Sequence, residues 1–99
     1  MRVWLDDVRE MPEGFDYWAR TAHAVVSLLL HGHDVTYISF DHDLGQEKTG
    51  YSVATTIESM IQGGFLTKMI EYDVHSANPV GRKRIIQAME SARRYTLDK

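Results

Sequence analysis

There is no cysteine among the 99 residues, which excludes thiol catalysis, zinc–thiolate sites, iron–sulfur clusters and disulfide frameworks. A chain of this length buries about two-thirds of its unfolded surface, so folding needs neither a covalent staple nor a structural metal. No apolar run approaches the roughly 20 residues of a membrane span; the longest, residues 25–30, is interrupted by Ser27. The opening ten residues already carry Asp6 and Asp7 and lack an apolar core, so no secretory signal is expected there. Phosphate loops of the G-x-x-x-x-G-K and G-x-G-x-x-G kinds are missing, which argues against the common nucleoside triphosphate chemistries. H-E-x-x-H zinc spacing is also missing, so a zinc site on His42, His75 and a carboxylate has no motif behind it.

At 43% hydrophobic and 25% charged, the remainder has an ordinary globular composition. One soluble, cytoplasmic domain over residues 1–99 is the expectation. The net charge of −3 conceals an asymmetry. Residues 1–81 hold twelve acids against five Lys/Arg, a balance of −7, and residues 82–99 hold six bases against two acids, +4. Such a basic stretch could face an anion or suit a helix C-terminus.

Apolar spacing predicts strands at 2–5, 15–20, 35–40 and 69–74. A first helix starts at the N-cap Thr21 and runs along Ala22, Val25, Val26 and Leu29 to Gly32. A polar loop at 45–50 leads into a second helix on Val53, Ile57, Met60 and Ile61, closed by Gly63-Gly64. Asn78-Pro79 opens a third, whose inward face is expected at Val80, Ile85, Met89, Ala92 and Tyr95 or Thr96. The alternation β, β, α, β, α, β, α implies a mostly parallel α/β sheet. The weak point is the second strand, because a parallel crossover usually takes a dozen or more residues.

In such sheets ligands bind outside the carboxyl ends of the strands. Those ends carry Asp6-Asp7, Asp41-His42-Asp43 and His75-Ser76-Ala77-Asn78. Four carboxylates brought together repel one another, and a hard divalent cation relieves that repulsion. His42 and His75 are candidate general acids or bases, since imidazole titrates near neutrality. The turn before the third helix offers amide donors, the Ser76 hydroxyl and the Asn78 side chain to an anion. Arg82 and Lys83 follow in the first helical turn, where the dipole disfavours cations, and a phosphate at the turn would explain them. A serine-hydrolase triad is not expected, because G-x-S-x-G is missing and Ser76, beside His75 on one strand, would face the other way.

W-L-D-D-V-R at residues 4–9, W-x-R-T-A at 18–22, S-x-D-H-D-L-G at 39–45, T-G-Y at 49–51 and V-H-S-A-N-P-V-G at 74–81 together resemble the cyclic-phosphate processing receiver-like domains, a branch of the response-regulator receiver fold. The resemblance runs over about residues 2–90. It implies a receiver-like, flavodoxin-like fold in reduced form, a three-layer sandwich or a partly stripped two-layer sheet: about four strands in the order 2-1-3-4, without the first receiver helix or the fifth strand. In a receiver the acidic pair after the first strand, here Asp6 and Asp7, holds Mg²⁺. The acceptor at the end of the third strand corresponds to Asp41, and the Ser/Thr position to Ser76. The receiver lysine has no counterpart, while His42 and His75 are additions.

The function this implies is metal-assisted hydrolysis of a cyclic phosphate, an RNA 2′,3′-cyclic end or a small cyclic nucleotide, in RNA repair or phage–host conflict. Mg²⁺ or Mn²⁺ is expected on Asp6, Asp7 and Asp41. His42, tuned by Asp43, is the expected base and His75 the acid, with Ser76, Asn78, Arg82 and Lys83 receiving the phosphate. In a variant, Asp41 attacks first and forms an acyl-phosphate. The rival expectation is a non-catalytic divergent receiver or cyclic-nucleotide reader. The expected partner is a phosphate-bearing small molecule or RNA end, with neither a membrane nor stable DNA binding.

Overall fold

Four short strands, β1 (Arg2–Leu5), β2 (Tyr17–Ala19), β3 (Tyr37–Phe40) and β4 (Glu71–Val74), lie parallel in the order β2-β1-β3-β4. Helices α1 (Ala22–Leu30), α2 (Gly50–Gln62) and α3 (Pro79–Leu97) alternate with the later strands. They belong to a computed structural model that describes residues 1–45 and 48–97. Of the polar loop expected at 45–50, residues 46 and 47 lie outside the described residues. No described helix is long and apolar enough to cross a membrane. The arrangement is the reduced receiver-like α/β fold implied by the resemblance.

Strand alternation divides the sheet into two unlike faces. Val3, Leu5, Ile38, Phe40 and Val74 join the inward residues of all three helices in one buried cluster. Arg2, Trp4, Tyr37, Ser39, Glu71 and Asp73 alternate with them and point the other way. The handedness of crossovers explains why only one face carries helices. The connections β2→β3 and β3→β4 run one way along the sheet, and β1→β2 runs back, so its right-handed path crosses the opposite face.

That path is residues 6–16, eleven in all, a loop in place of a helix. Trp4 Nε1 donates to the Arg9 carbonyl at 2.9 Å and Arg2 Nε to the Gly14 carbonyl at 3.0 Å. Phe15 packs edge-on to Trp4 with ring centroids 5.4 Å apart. Asp16 accepts the Arg2 amide at 2.7 Å. These ties consume Phe15 and Asp16, so β2 starts at Tyr17, two residues later than the expectation. The crossover thereby gains the length that a start at residue 15 denied it.

The helix starts follow local chemistry. Thr21 Oγ1 accepts the Ala24 amide at 3.1 Å, and Asn78 Oδ1 accepts the Gly81 amide at 2.9 Å. Gly32, at φ +78°, closes α1 as a left-handed residue. The inward face of α3 is Gly81, Ile85, Ala88, Met89 and Ala92. Val80 is 61% exposed and Tyr95 42%, a correction to the expected face by one position. The cause is the close seat of Gly81, treated below.

Gly50 opens α2 against the backbone that leaves β3. Its amide donates to the His42 carbonyl at 3.0 Å, and a Cβ there would fall under 3.0 Å from the Asp41 carbonyl oxygen. A backbone oxygen held at the end of a strand cannot swing aside as a side chain can. Gly50→Ala is therefore expected to destabilise by about 1–3 kcal/mol or more, lowering Tm by roughly 4–8 °C per kcal/mol. Thermal unfolding checks this, and an unchanged Tm would contradict the packing described.

Candidate active site

The register of the strands decides which side chains meet. Leu5, Phe40 and Val74 are aligned across β1, β3 and β4, so the next residues, Asp6, Asp41 and His75, form one row on the face opposite the helices. The Asp41 amide donates to the Leu5 carbonyl and the His75 amide to the Phe40 carbonyl, both at 2.9 Å, which carries the register into this row. One carboxylate oxygen of each acid and one ring nitrogen of His75 lie within 4.8 Å of one another. Asp6 is fully buried and Asp41 is 8% exposed.

His75 is held from every side. Tyr37 Oη donates to Asp73 Oδ2 at 2.8 Å, and the Ser39 hydroxyl donates to Asp73 Oδ1. The single Ser39 proton is thus committed, and Ser39 Oγ accepts from His75 Nδ1 at 2.8 Å. Nε2 faces Asp6 Oδ2 at 2.9 Å. There it either donates a proton to Asp6 or, once that proton leaves, presents a lone pair to the space between the two acids. The imidazole lies flat on Trp4, with centroids 3.9 Å apart and planes 6° from parallel. Arg9 donates to the His75 carbonyl at 2.8 Å.

The two acids respond oppositely to burial. Desolvation pushes the Asp6 carboxyl up, but the amides of Arg9 and Val8 and the His75 ring outweigh it and hold the group below its ordinary value. Oδ1 accepts those amides at 2.7 and 2.9 Å. Asp41 is raised, first by burial and then by the Asp6 charge, against the His75 ring, the Ser76 hydroxyl and the His42 amide. Two buried carboxylates and an imidazole nitrogen at this spacing are a donor set that fits a divalent cation, and a cation would relieve the repulsion felt by Asp41.

His42 and Asp43 form a separate pair. Their Nδ1 and Oδ1 atoms are 2.9 Å apart, and Asn78 Nδ2 lies 3.4 Å from both Asp43 oxygens. The bond from His42 holds Asp43 below its ordinary value. The His42 ring rests on α3 where a Cβ at residue 81 would fall under 3.0 Å from it. This contact requires glycine and turns Gly81, rather than Val80, towards the sheet. Among the described residues His42 Nε2 carries no hydrogen bond.

Of the remaining expected residues, Ser76 is buried, accepts the Asn78 amide at 3.1 Å and bonds Asp41. Asp7 Oδ2 lies against Gly45, where an added Cβ would fall 2.8 Å from it, and Asp7 is not part of the clustered three. Arg82 donates to the Val74 carbonyl at 2.5 Å, which accounts for a cation in the first turn without a phosphate. Lys83 lines a groove of about 420 Å³ with Pro79, Ile86 and Gln87. The cavity of about 290 Å³ between α1 and α2 is lined by Ala22, His23, Val26, Lys48, Ser52 and Thr56 and includes none of the rim acids.

Sequence reasoning did not find Trp4, Ser39 and Asp73. Their signal is the alternation of the strands, which sets each of them opposite a core residue, and the pairing Ser39↔Asp73, which joins residues 34 apart. Ser39 beside His75 and Asp6 has the membership of a hydrolase triad, yet Ser39 is 1% exposed and its proton goes to Asp73, so it is no nucleophile.

A family model described as the cyclic-phosphate processing Receiver domain matches residues 1–91. No curated protein and no solved structure matches the chain.

Raised above its ordinary 3.8, Asp41 is favoured in its protonated form by the fold. Ionising it costs stability as the pH climbs through 3.8 to the raised folded value, and the cost persists at neutrality. Asp41→Asn is therefore expected to melt higher than wild type at pH 7, with the advantage fading on acidification through that window. Melting curves between pH 3 and 8 test this. A lower-melting variant at pH 7 would mean that the bonds from Ser76 and His42 outweigh burial and repulsion.

Proposed function

From the premise that the chain belongs to the cyclic-phosphate processing Receiver domain family, we propose that it is a metal-assisted phosphoesterase that opens a cyclic phosphodiester. The observation that carries this reading is the cluster of buried Asp6 and Asp41 with half-buried His75, whose donor atoms lie within 4.8 Å of one another. These three would hold the cation, with His75 taking the part expected of Asp7. A nitrogen donor shifts the preference from Mg²⁺, which takes oxygen, towards Mn²⁺. When bound, the cation supplies polarisation of the phosphoryl group and stabilises charge on the leaving oxygen.

His42 is the base. Asp43 bonds Nδ1, which fixes the ring orientation and leaves Nε2 to take a proton from the attacking water. Asp43 then stabilises the imidazolium until that proton passes, through solvent, to the leaving oxygen. The acid role expected for His75 is given up here, because a ring nitrogen that holds a cation has no proton to deliver. Ser76 and Asn78 keep Asp41 and Asp43 in place. The substrate is an RNA 2′,3′-cyclic end or a small cyclic nucleotide, met in the cytoplasm during RNA repair or phage–host conflict.

The test is a panel of 2′,3′- and 3′,5′-cyclic nucleotides and a cyclic-ended RNA oligonucleotide, with Mn²⁺, Mg²⁺ or EDTA, read by mass spectrometry. Ring-opened monophosphate should form with Mn²⁺, more slowly with Mg²⁺, and not with EDTA. His42→Ala should slow turnover by about 10²–10⁴-fold. Mn²⁺ at about 100 times its Kd should stabilise the wild type by roughly 2.7 kcal/mol, and Asp41→Asn should lose most of that gain. Absence of both product and metal-dependent stabilisation would remove the reading.

A further inference from the structure

The W-x-R-T-A stretch contributes two side chains that the chemistry above leaves unused, Trp18 and Arg20. Trp18 pairs with Trp4 in register, so it projects from the face that carries no helix. Its Nε1 donates to the Asp6 carbonyl at 2.8 Å, which fixes the indole beside the first acid of the rim. Arg20 follows two residues later on the same face, and its guanidinium carbon sits 3.9 Å from the centre of the Trp18 ring. Among the described residues this guanidinium has no hydrogen bond or ion pair.

The other arginines around the rim are otherwise engaged. Arg9 donates to the His75 carbonyl and Arg82 to the Val74 carbonyl. An anionic substrate approaching Asp6, Asp41 and Asp43 meets three carboxylates. It needs a positive group besides any cation those carboxylates hold. A guanidinium presents a planar fork of donors that matches two phosphate oxygens, and an indole seat restricts the side chain before the ligand arrives, which lowers the ordering cost of binding.

We propose that Arg20, seated on Trp18, receives the phosphate of the substrate, a phosphodiester monoanion held through two oxygens on the β1–β2 side of the rim. This assigns the anion to the opposite side of Asp6 from the α3 turn and replaces Arg82 and Lys83 as its partners. The identity of the anion rests on the phosphoesterase reading; its place rests on Trp18 and Arg20 alone.

The probe is 2′,3′-cyclic AMP, with affinity measured by calorimetry in EDTA and turnover measured in Mn²⁺, for wild type, Arg20→Gln, Arg20→Lys, Trp18→Phe and Arg82→Gln. Arg20→Gln should weaken binding by roughly ten- to a hundredfold, as expected for a lost charge-assisted bond, and raise KM in parallel with kcat little changed. Arg20→Lys should recover part of the affinity, and Trp18→Phe should fall between wild type and Arg20→Gln. Arg82→Gln should bind as wild type. Unchanged affinity in Arg20→Gln, or a loss confined to Arg82→Gln, overturns the proposal. If wild type and Arg20→Gln turn the probe over equally well, the proposal fails while the phosphoesterase reading stands. Arg20-dependent binding without turnover reverses that outcome, and a wild type that neither binds nor converts the probe rejects both.

Discussion

The hydrogen bond between His75 Nε2 and Asp6 Oδ2, 2.9 Å long, joins the first strand to the fourth across the intervening third. Everything distinctive about the rim depends on it. It brings the imidazole down onto Trp4, places Nδ1 on Ser39, and leaves Asp41 facing an acid already charged. Because Asp6 also gathers the amides of Val8 and Arg9, the same carboxylate anchors the start of the loop that crosses the open face. One buried anion thus organises a strand end, a loop and a ring. Removal of its partner would leave a charge in a dry place, which proteins tolerate poorly.

The consequence for chemistry is a division of labour between two histidines adjacent to strand ends. His75 is tied at both nitrogens and can change only by exchanging a proton for another positive group. His42 is tied at one nitrogen, by an exposed carboxylate, and rests on a glycine that admits its ring. Rigidity on one side and an available nitrogen on the other suit a site where one imidazole holds and the other transfers.

Much of this architecture was readable because its signals are local. The N-caps Thr21 and Asn78, the glycine at residue 32 and the apolar spacing of α1 and α2 act within one turn of helix, and the strand order is the one the resemblance to the receiver fold implies. What escaped depended on partners far along the chain. Whether Asp7 or His75 completes the cluster turns on strand alternation continued past the last paired residue. Ser39 and Asp73 gain meaning only once β3 and β4 are aligned. The phase of α3 is set by the His42 ring pressing on Gly81, which no helical periodicity reports. Arg82 suggested a phosphate because the strand carbonyl it reaches is invisible until the edge of the sheet is known.

That edge has a significance of its own. β4 ends the sheet, and an unpaired strand exposes a row of backbone donors and acceptors on which a foreign strand can add. Arg82 covers the carbonyl of Val74 at one end of β4, and Arg93 clamps Glu71 at the other with bonds of 2.9 and 3.2 Å. The opposite edge, β2, is only three residues long. Two of the bases of the last helix, so suggestive of a ligand, are thus spent on the edge strand.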